Sequence, residues 1–270
     1  MKIFLKALQS KNENQKARYF CMAEVKTAFH ASCSNCGLQR LCFPTGLTQA
    51  EIVELDHIVQ RKSPLQKNQL LFSAGDPFNY LFAIRAGAVK VFSFSDVGEE
   101  IIHGFYLSGD VVGLDALAGG THTFNAVALD VTSVCALPFS ELSDLSAKIP
   151  HLSQQILTIM SKEVVEGRLH SELLTKKSAD QRIAQFIWSM AERYRSRGYH
   201  HLQFRLSILH RDVALYLGLT PETVSRILAK FHQEHILTWK KKEVQIHNEN
   251  ALKSLVASHY CDSNSCAKVV

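Results

Sequence analysis

The chain is predicted to be an α+β protein, with an antiparallel β-barrel or sandwich joined by one long helix to a basic helical domain. Three observations predict this. Short alternating apolar runs separated by Gly, Asp, Pro and Asn recur at roughly ten-residue intervals between residues 65 and 139, the rhythm of antiparallel strands. The stretch that follows is apolar on two helical faces. Residues 210–237, "HRDVALYLGLTPETVSRILAKFHQEHIL", contain two short amphipathic segments on either side of a glycine. At 270 residues, 46% hydrophobic and 20% charged, the chain is long enough for two domains and needs no covalent staples. The expected organisation is an extension with a Cys-rich segment (1–47), a β-barrel domain (48–148), a long helix (149–175), a helix-turn-helix domain (176–250) and a tail (251–270).

Taken in chain order, "MKIFLKALQSKNENQ" is too short and interrupted for a signal peptide, and no stretch approaches a membrane span. The seven cysteines, at 21, 33, 36, 42, 135, 261 and 266, are odd in number and unevenly spread. They fit reduced thiols or metal ligands better than a disulfide framework, and a cytoplasmic location is expected. "LTQAEIVELDHIVQRKSPLQ" reads as an amphipathic helix closed by Pro64, with Thr48 and Glu51 forming a capping box. The runs LLFSAG, YLFAIRAG, VKVFSFS, EEIIHGFYLSG and FNAVALDVTSVCALPF supply the strands.

"SELSDLSAKIPHLSQQILTIMSKEVVEGRLHSELLTKKS" is helical, with one apolar stripe at Leu152, Ile156 and Ile159 and a second at Leu157, Met160 and Val164. A helix apolar on two faces buries both. The first stripe is assigned to its own domain. The second is assigned to a twofold partner, since homodimers are the commonest oligomers; cover by the chain's own C-terminal domain is the alternative. "LTWKKKEVQIHN" closes the next domain as a small hairpin, and the tail reads as frayed.

Charge is uneven. Between Arg168 and Lys242 there are fourteen Lys or Arg against six Asp or Glu, so the rest of the chain is about three negative against a total of +5. A basic C-terminal third implies a polyanionic partner. Within it, Val213, Ala214 and Leu217 face inward from a first short helix, and Gly218 permits a tight turn. Thr220 is a good N-cap and Pro221 suits the first helical position. The second helix buries Val224, Ile227, Leu228 and Phe231 and presents Glu222, Thr223, Ser225, Arg226 and Lys230. Two such helices make a helix-turn-helix. Arg can bond guanine bidentately, a carboxylate can accept from cytosine N4, and Ser can bond several edges. Arg211, Lys230 and lysines 240–242 are assigned to phosphates.

Cys33, Cys36 and Cys42 read C-x2-C-x5-C. Structural zinc sites usually show two cysteine hooks, and iron–sulfur clusters use uneven spacings with a distant fourth ligand. Cys135 is the candidate fourth; taken alone it reads as a buried core thiol, and thiols that hold zinc or cycle through a disulfide are the alternative to a cluster.

Together, C-x2-C-x5-C, the Gly-punctuated strands, the long helix and "TPETVSRILAKF" resemble the FNR branch of the CRP/FNR transcription regulators, from Cys33 to about Asn250. The resemblance implies a cyclic-nucleotide-binding-like jelly roll, a dimerisation helix and a winged helix-turn-helix. It also implies an oxygen-labile [4Fe–4S] cluster on Cys33, Cys36, Cys42 and Cys135. E-x-x-S-R maps onto Glu222, Ser225 and Arg226, which implies a dimer on double-stranded DNA carrying palindromic TTGAT-like half-sites. Cyclic-nucleotide binders of the same superfamily place an acid after G-D-x-x-G and then an Arg-Ser pair. Here Gly109, Asp110 and Gly113 are followed by Leu114, and Phe124 and Asn125 stand at the Arg-Ser positions, so the bidentate phosphate partner is missing. The expected mechanism is cluster assembly that orders residues 31–47 against the barrel and favours the dimer, with Glu163 and Glu166 near the seam. An exposed turn at Asp96–Glu99 is the candidate surface for RNA polymerase. With no G-x-S-x-G, P-loop or H-E-x-x-H, no enzymatic activity is expected.

Overall fold

The structure, a computed structural model, describes residues 32–257. Cys21, Cys261 and Cys266 lie outside the described residues, with positions 1–31 of the expected extension and 258–270 of the expected tail.

A loop containing a short 3-10 turn at Cys33–Asn35 leads into α1 (Gln49–Ile58), where the capping box between Thr48 and Glu51 forms in both directions. Eight strands follow: β1 (Gln60–Arg61), β2 (Leu70–Phe72), β3 (Tyr80–Ala86), β4 (Ala88–Phe94), β5 (Glu100–Leu107), β6 (Val111–Val112), β7 (Asn125–Ala128) and β8 (Ser133–Pro138). They make two four-stranded antiparallel sheets, ordered β1-β8-β3-β6 and β2-β7-β4-β5. Of the expected barrel or sandwich, the sandwich forms, a pair of sheets rather than a closed barrel. The edge strands of the first sheet, β1 and β6, are only two residues long, too short to carry a continuous ladder from one sheet to the other.

Period-two alternation assigns each strand residue to a face. Phe82 and Ile84 of β3 and Val134 and Ala136 of β8 turn inward and pack with Phe72, Val89, Val91 and Ala126 of the other sheet. The intervening residues Leu81, Ala83, Cys135 and Leu137 turn outward, where Phe43, Leu55 and Leu142 cover them. The outer face of the second sheet, with Ile102, Phe105 and Leu107, is covered by the C-terminal domain. Each face of the sandwich thus carries a different functional layer.

The long helical stretch is two helices, α2 (Phe139–Lys148) and α3 (Pro150–Lys176), because Pro150 cannot continue α2 but suits the first position of α3. Then come α4 (Ala179–Ser196), β9 (Gln203–Arg205), α5 (His210–Leu217), α6 (Pro221–Gln233), β10 (Leu237–Lys240) and β11 (Glu243–Ile246). The expected hairpin β10–β11 gains β9 as a third strand. Where a frayed tail was expected after residue 250, α7 (Glu249–Ala257) forms instead and buries Leu252.

Candidate metal centre and nucleic-acid interface

The loop wraps through its own backbone hydrogen bonds, Cys36 N–H to Cys33 O, Gln39 N–H to Cys36 O and Cys42 N–H to Leu38 O. The Thr45 hydroxyl donates to Cys42 O at 2.7 Å, and Gln39 Nε2 donates to Cys33 O at 2.6 Å. These bonds aim the loop's sulfurs at the outward face of β8. Cys33, Cys36, Cys42 and Cys135 line one cavity with Leu38, Phe43, Leu55, Val59, Ala83 and Leu137. All four are free thiols. Among the described residues no three His, Cys, Asp or Glu side chains adopt a single-ion geometry.

Burial pushes the Cys42 thiol up to about 12, and Cys135 and Asp110 nearby act in the same direction. Burial likewise raises Cys33, with Asp56 adding to it, and raises Cys135. A thiolate here needs positive charge to compensate it, which bound metal supplies as it displaces the protons. Four sulfur donors in an apolar chamber are a donor set that fits an iron–sulfur cluster.

The second stripe of α3 is bare: Leu157, Met160 and Val164 are 65%, 38% and 54% exposed. The first stripe is covered as expected, with Leu152 buried and Ile156 and Ile159 packed in the same apolar group as Cys33, Cys42 and Cys135. Gln155 of α3 also donates to Cys42 O at 3.4 Å. Glu163 is half-buried within its own chain, accepting from Tyr106 Oη at 3.1 Å. Burial, with the charges of Glu166 and Asp110, pushes its carboxyl up to about 7 against the opposing pull of the Tyr106 hydrogen bond and Arg193.

In the C-terminal domain α5 buries Val213, Ala214 and Leu217, and Gly218 takes the left-handed conformation (φ 62°) that ends it. The Thr220 hydroxyl oxygen accepts from Thr223 N–H at 3.2 Å, and Pro221 opens α6. Val224, Ile227, Leu228 and Phe231 are buried, so Glu222, Ser225 and Arg226 share the exposed face. Arg211 is exposed at the start of α5. Two of the lysines assigned to phosphates also have carboxylate partners. Lys230 donates to Asp180 at 2.6 Å, and Lys242 donates to Asp130 at 2.6 Å. The second pair ties the hairpin to the sensor domain, so Lys242 is engaged there; Lys240 remains exposed.

The sequence did not reveal how the two domains meet. Arg193 of α4 and Arg197, the residue that caps its C-terminus, both bind Asp110, Arg197 through Nη2 at 2.7 Å. Their guanidinium groups also donate to Phe105 O and Ser108 O at 2.8 and 2.6 Å. Lys90 of β4, buried, bridges Glu100 at 2.5 Å and buried Asp212 of α5 at 3.4 Å. The partners that cross between the domains stand 83 to 122 residues apart, and no local motif marks them. At the positions where related folds hold a cyclic phosphate, Asp115 accepts the N–H groups of Thr123 and Phe124, and His122 stacks on Phe72 with centroids 3.8 Å apart.

The chain matches the cyclic nucleotide-binding domain over residues 62–148 and the Crp-like helix-turn-helix domain over 181–255. It is 42% identical over 226 residues to the fumarate and nitrate reduction regulatory protein of Yersinia pestis, covering 84% of this chain and 90% of that protein. It is 43% identical over 223 residues to the protein of that name from Escherichia coli K12, covering 83% and 89%. Among solved structures, FixK2 from Bradyrhizobium japonicum superposes with a TM-score of 0.67 at 28% identity, over 73% of this chain and 97% of that one. Among the described residues no helix is long and apolar enough to cross a membrane. The chain belongs to the CRP/FNR superfamily, in its FNR branch, and is a DNA-binding transcription regulator of that type rather than an enzyme.

Proposed function

We propose that this regulator responds to oxygen through a [4Fe–4S] cluster held by Cys33, Cys36, Cys42 and Cys135, acting in the cytoplasm. The observation that carries the reading is the convergence of the loop thiols and the outward-facing Cys135 on one apolar chamber. The bound group supplies an oxygen-labile, redox-active centre. The chain's residues supply its consequences. Held by Cys135 as well as by the loop thiols, such a group would tie the loop to β8; Gln155, Ile156 and Ile159 sit against that loop and its surroundings. These residues belong to α3, whose exposed Leu157, Met160 and Val164 form the seam of a homodimer. The dimer presents two α6 helices one turn of DNA apart to palindromic TTGAT-like half-sites. Glu222, Ser225 and Arg226 read base edges, Thr220 and Thr223 contact DNA from the start of the helix, and Arg211 and Lys230 lie toward phosphates. The Asp96–Glu99 turn faces RNA polymerase.

Iron, acid-labile sulfide and zinc per chain, measured on anaerobically purified protein as air is admitted, test the reading. About four iron and four sulfide with absorbance that bleaches in air are expected. Zinc with a colourless spectrum would refute oxygen sensing and leave DNA binding intact. Duplex affinity that falls steeply with salt is required in either case.

A further inference from the structure

Two charged residues, Asp56 and Arg61, stand beside the thiol chamber and contribute no sulfur to it. Asp56 lies in the last turn of α1, where an acid opposes the helix dipole. Its carboxylate oxygen Oδ1 accepts the backbone N–H of Cys33 at 2.7 Å, across 23 residues of chain. The same oxygen is bound by Arg61. Arg61 belongs to the two-residue strand β1, where it stands directly opposite Cys135 in the antiparallel ladder. Directly opposed residues share a face of the sheet, with Cβ atoms about 5 Å apart. A continuous chain of contacts thus runs from the backbone of Cys33 through Asp56 and Arg61 to the position of Cys135.

We propose that Asp56 and Arg61 form a positioning pair that fixes the first thiol of the site, Cys33, relative to the last, Cys135. The proposal rests on the reading that these thiols hold a cluster. The loop is otherwise tied mostly to itself, since Gln39, Cys36 and Thr45 all bond within residues 33–45. Such bonds give the loop a shape but not a place. Asp56 supplies the place where the loop begins, by holding an N–H that the 3-10 turn leaves free. It is held in turn by a residue whose own position is set by β8. An acid that is unfavourable for its own helix is thereby accounted for by what it holds.

Full-length protein purified without oxygen and supplied with ferrous iron and sulfide tests the pair. Wild type, Asp56→Ala, Asp56→Asn and Arg61→Gln are compared for iron and sulfide per chain, visible spectrum and rate of bleaching in air. Loss of a group that orients a metal ligand costs about 10-fold or more in metal retention, so Asp56→Ala is expected to bleach about 10-fold faster or to load correspondingly less. Asp56→Asn keeps a carbonyl acceptor for the Cys33 N–H and should recover most of the loading, and Arg61→Gln should fall between. The metal-free proteins should unfold at closely similar temperatures, which separates positioning from general stability. If Asp56→Ala fails to fold, Asp56→Asn against Arg61→Gln decides by the same ordering. Wild type that loads beside variants that load and bleach identically overturns the pair alone. Wild type that takes up neither iron nor sulfide overturns the cluster reading, and this role with it.

Discussion

Replacing Asp110 with Ala should loosen the contact between the sensor sandwich and the DNA-binding domain. The carboxylate is 26% exposed and serves three donors: Arg193, 24% exposed, Arg197, 6% exposed, and the backbone N–H of Leu107 at 2.7 Å. Hydrogen bonds to a charged group contribute about 1.5–3 kcal/mol each, and removing one partner of a buried ion pair costs about 3–5 kcal/mol. Both guanidiniums keep backbone carbonyl partners, and the carboxylate is partly solvated, so the low end applies, about 3 kcal/mol. For a chain of this size that corresponds to a fall of roughly 6–12 °C in unfolding midpoint. Urea unfolding followed by tryptophan fluorescence measures it, because Trp188 and Trp239 both lie in the C-terminal domain. A double-mutant cycle with Arg197→Met should return a coupling of about 2 kcal/mol, within the range for contacting residues. A loss under about 1 kcal/mol, or additive substitutions, would refute the idea that Asp110 holds the domains together.

The raised carboxyl of Glu163 makes stability depend on pH. Its contribution is complete below its ordinary value of 4.5 and is lost as pH rises through about 7, so urea unfolding at about pH 5 and pH 8 should show a decline that Glu163→Gln flattens. Gly87 has φ +91°, and a Cβ there would meet Thr132 Oγ1 at 2.4 Å and Val131 O at 2.6 Å. Gly87→Ala should therefore destabilise by about 1–3 kcal/mol or more in thermal unfolding, and a variant as stable as wild type would contradict the geometry. On DNA, Arg226→Ala should cost about 1–3 kcal/mol at one base position, whereas Lys240→Ala should weaken all sequences alike and lower the salt slope by about one; anisotropy titrations against operator and scrambled duplex separate the two.

The features legible in the sequence were those that local chemistry determines. The Thr48–Glu51 capping box, the Gly218 turn, the Pro221 start and the 3.6-residue spacing of Val224, Ile227, Leu228 and Phe231 each involve residues within a few positions of one another. The same spacing separated the two apolar stripes of α3, of which the structure covers one and leaves the other bare. The choice between barrel and sandwich was not legible, because period-two alternation gives faces but not which strands end a ladder. The inter-domain ion pairs were hidden for a related reason. Asp110 reads as a turn residue and Arg193 as part of a basic face, and only the fold brings them together. Lys242 shows the cost of reading charge alone: counted with its two neighbours as a phosphate ligand, it is committed to Asp130.

The turn that carries Asp110 is approached from both sides. A Cβ at Gly109 would come within 3.0 Å of Leu41 in the cysteine loop, while Ser108 and Asp110 receive the guanidiniums of the DNA-binding domain. Equilibrium coupling has no preferred direction. If metal loading changes operator affinity through this turn, operator occupancy changes metal retention by the same factor. Protein seated on DNA would then hold the metal more tightly at equilibrium than protein free in solution, so a DNA site would favour the loaded form of the molecules it holds.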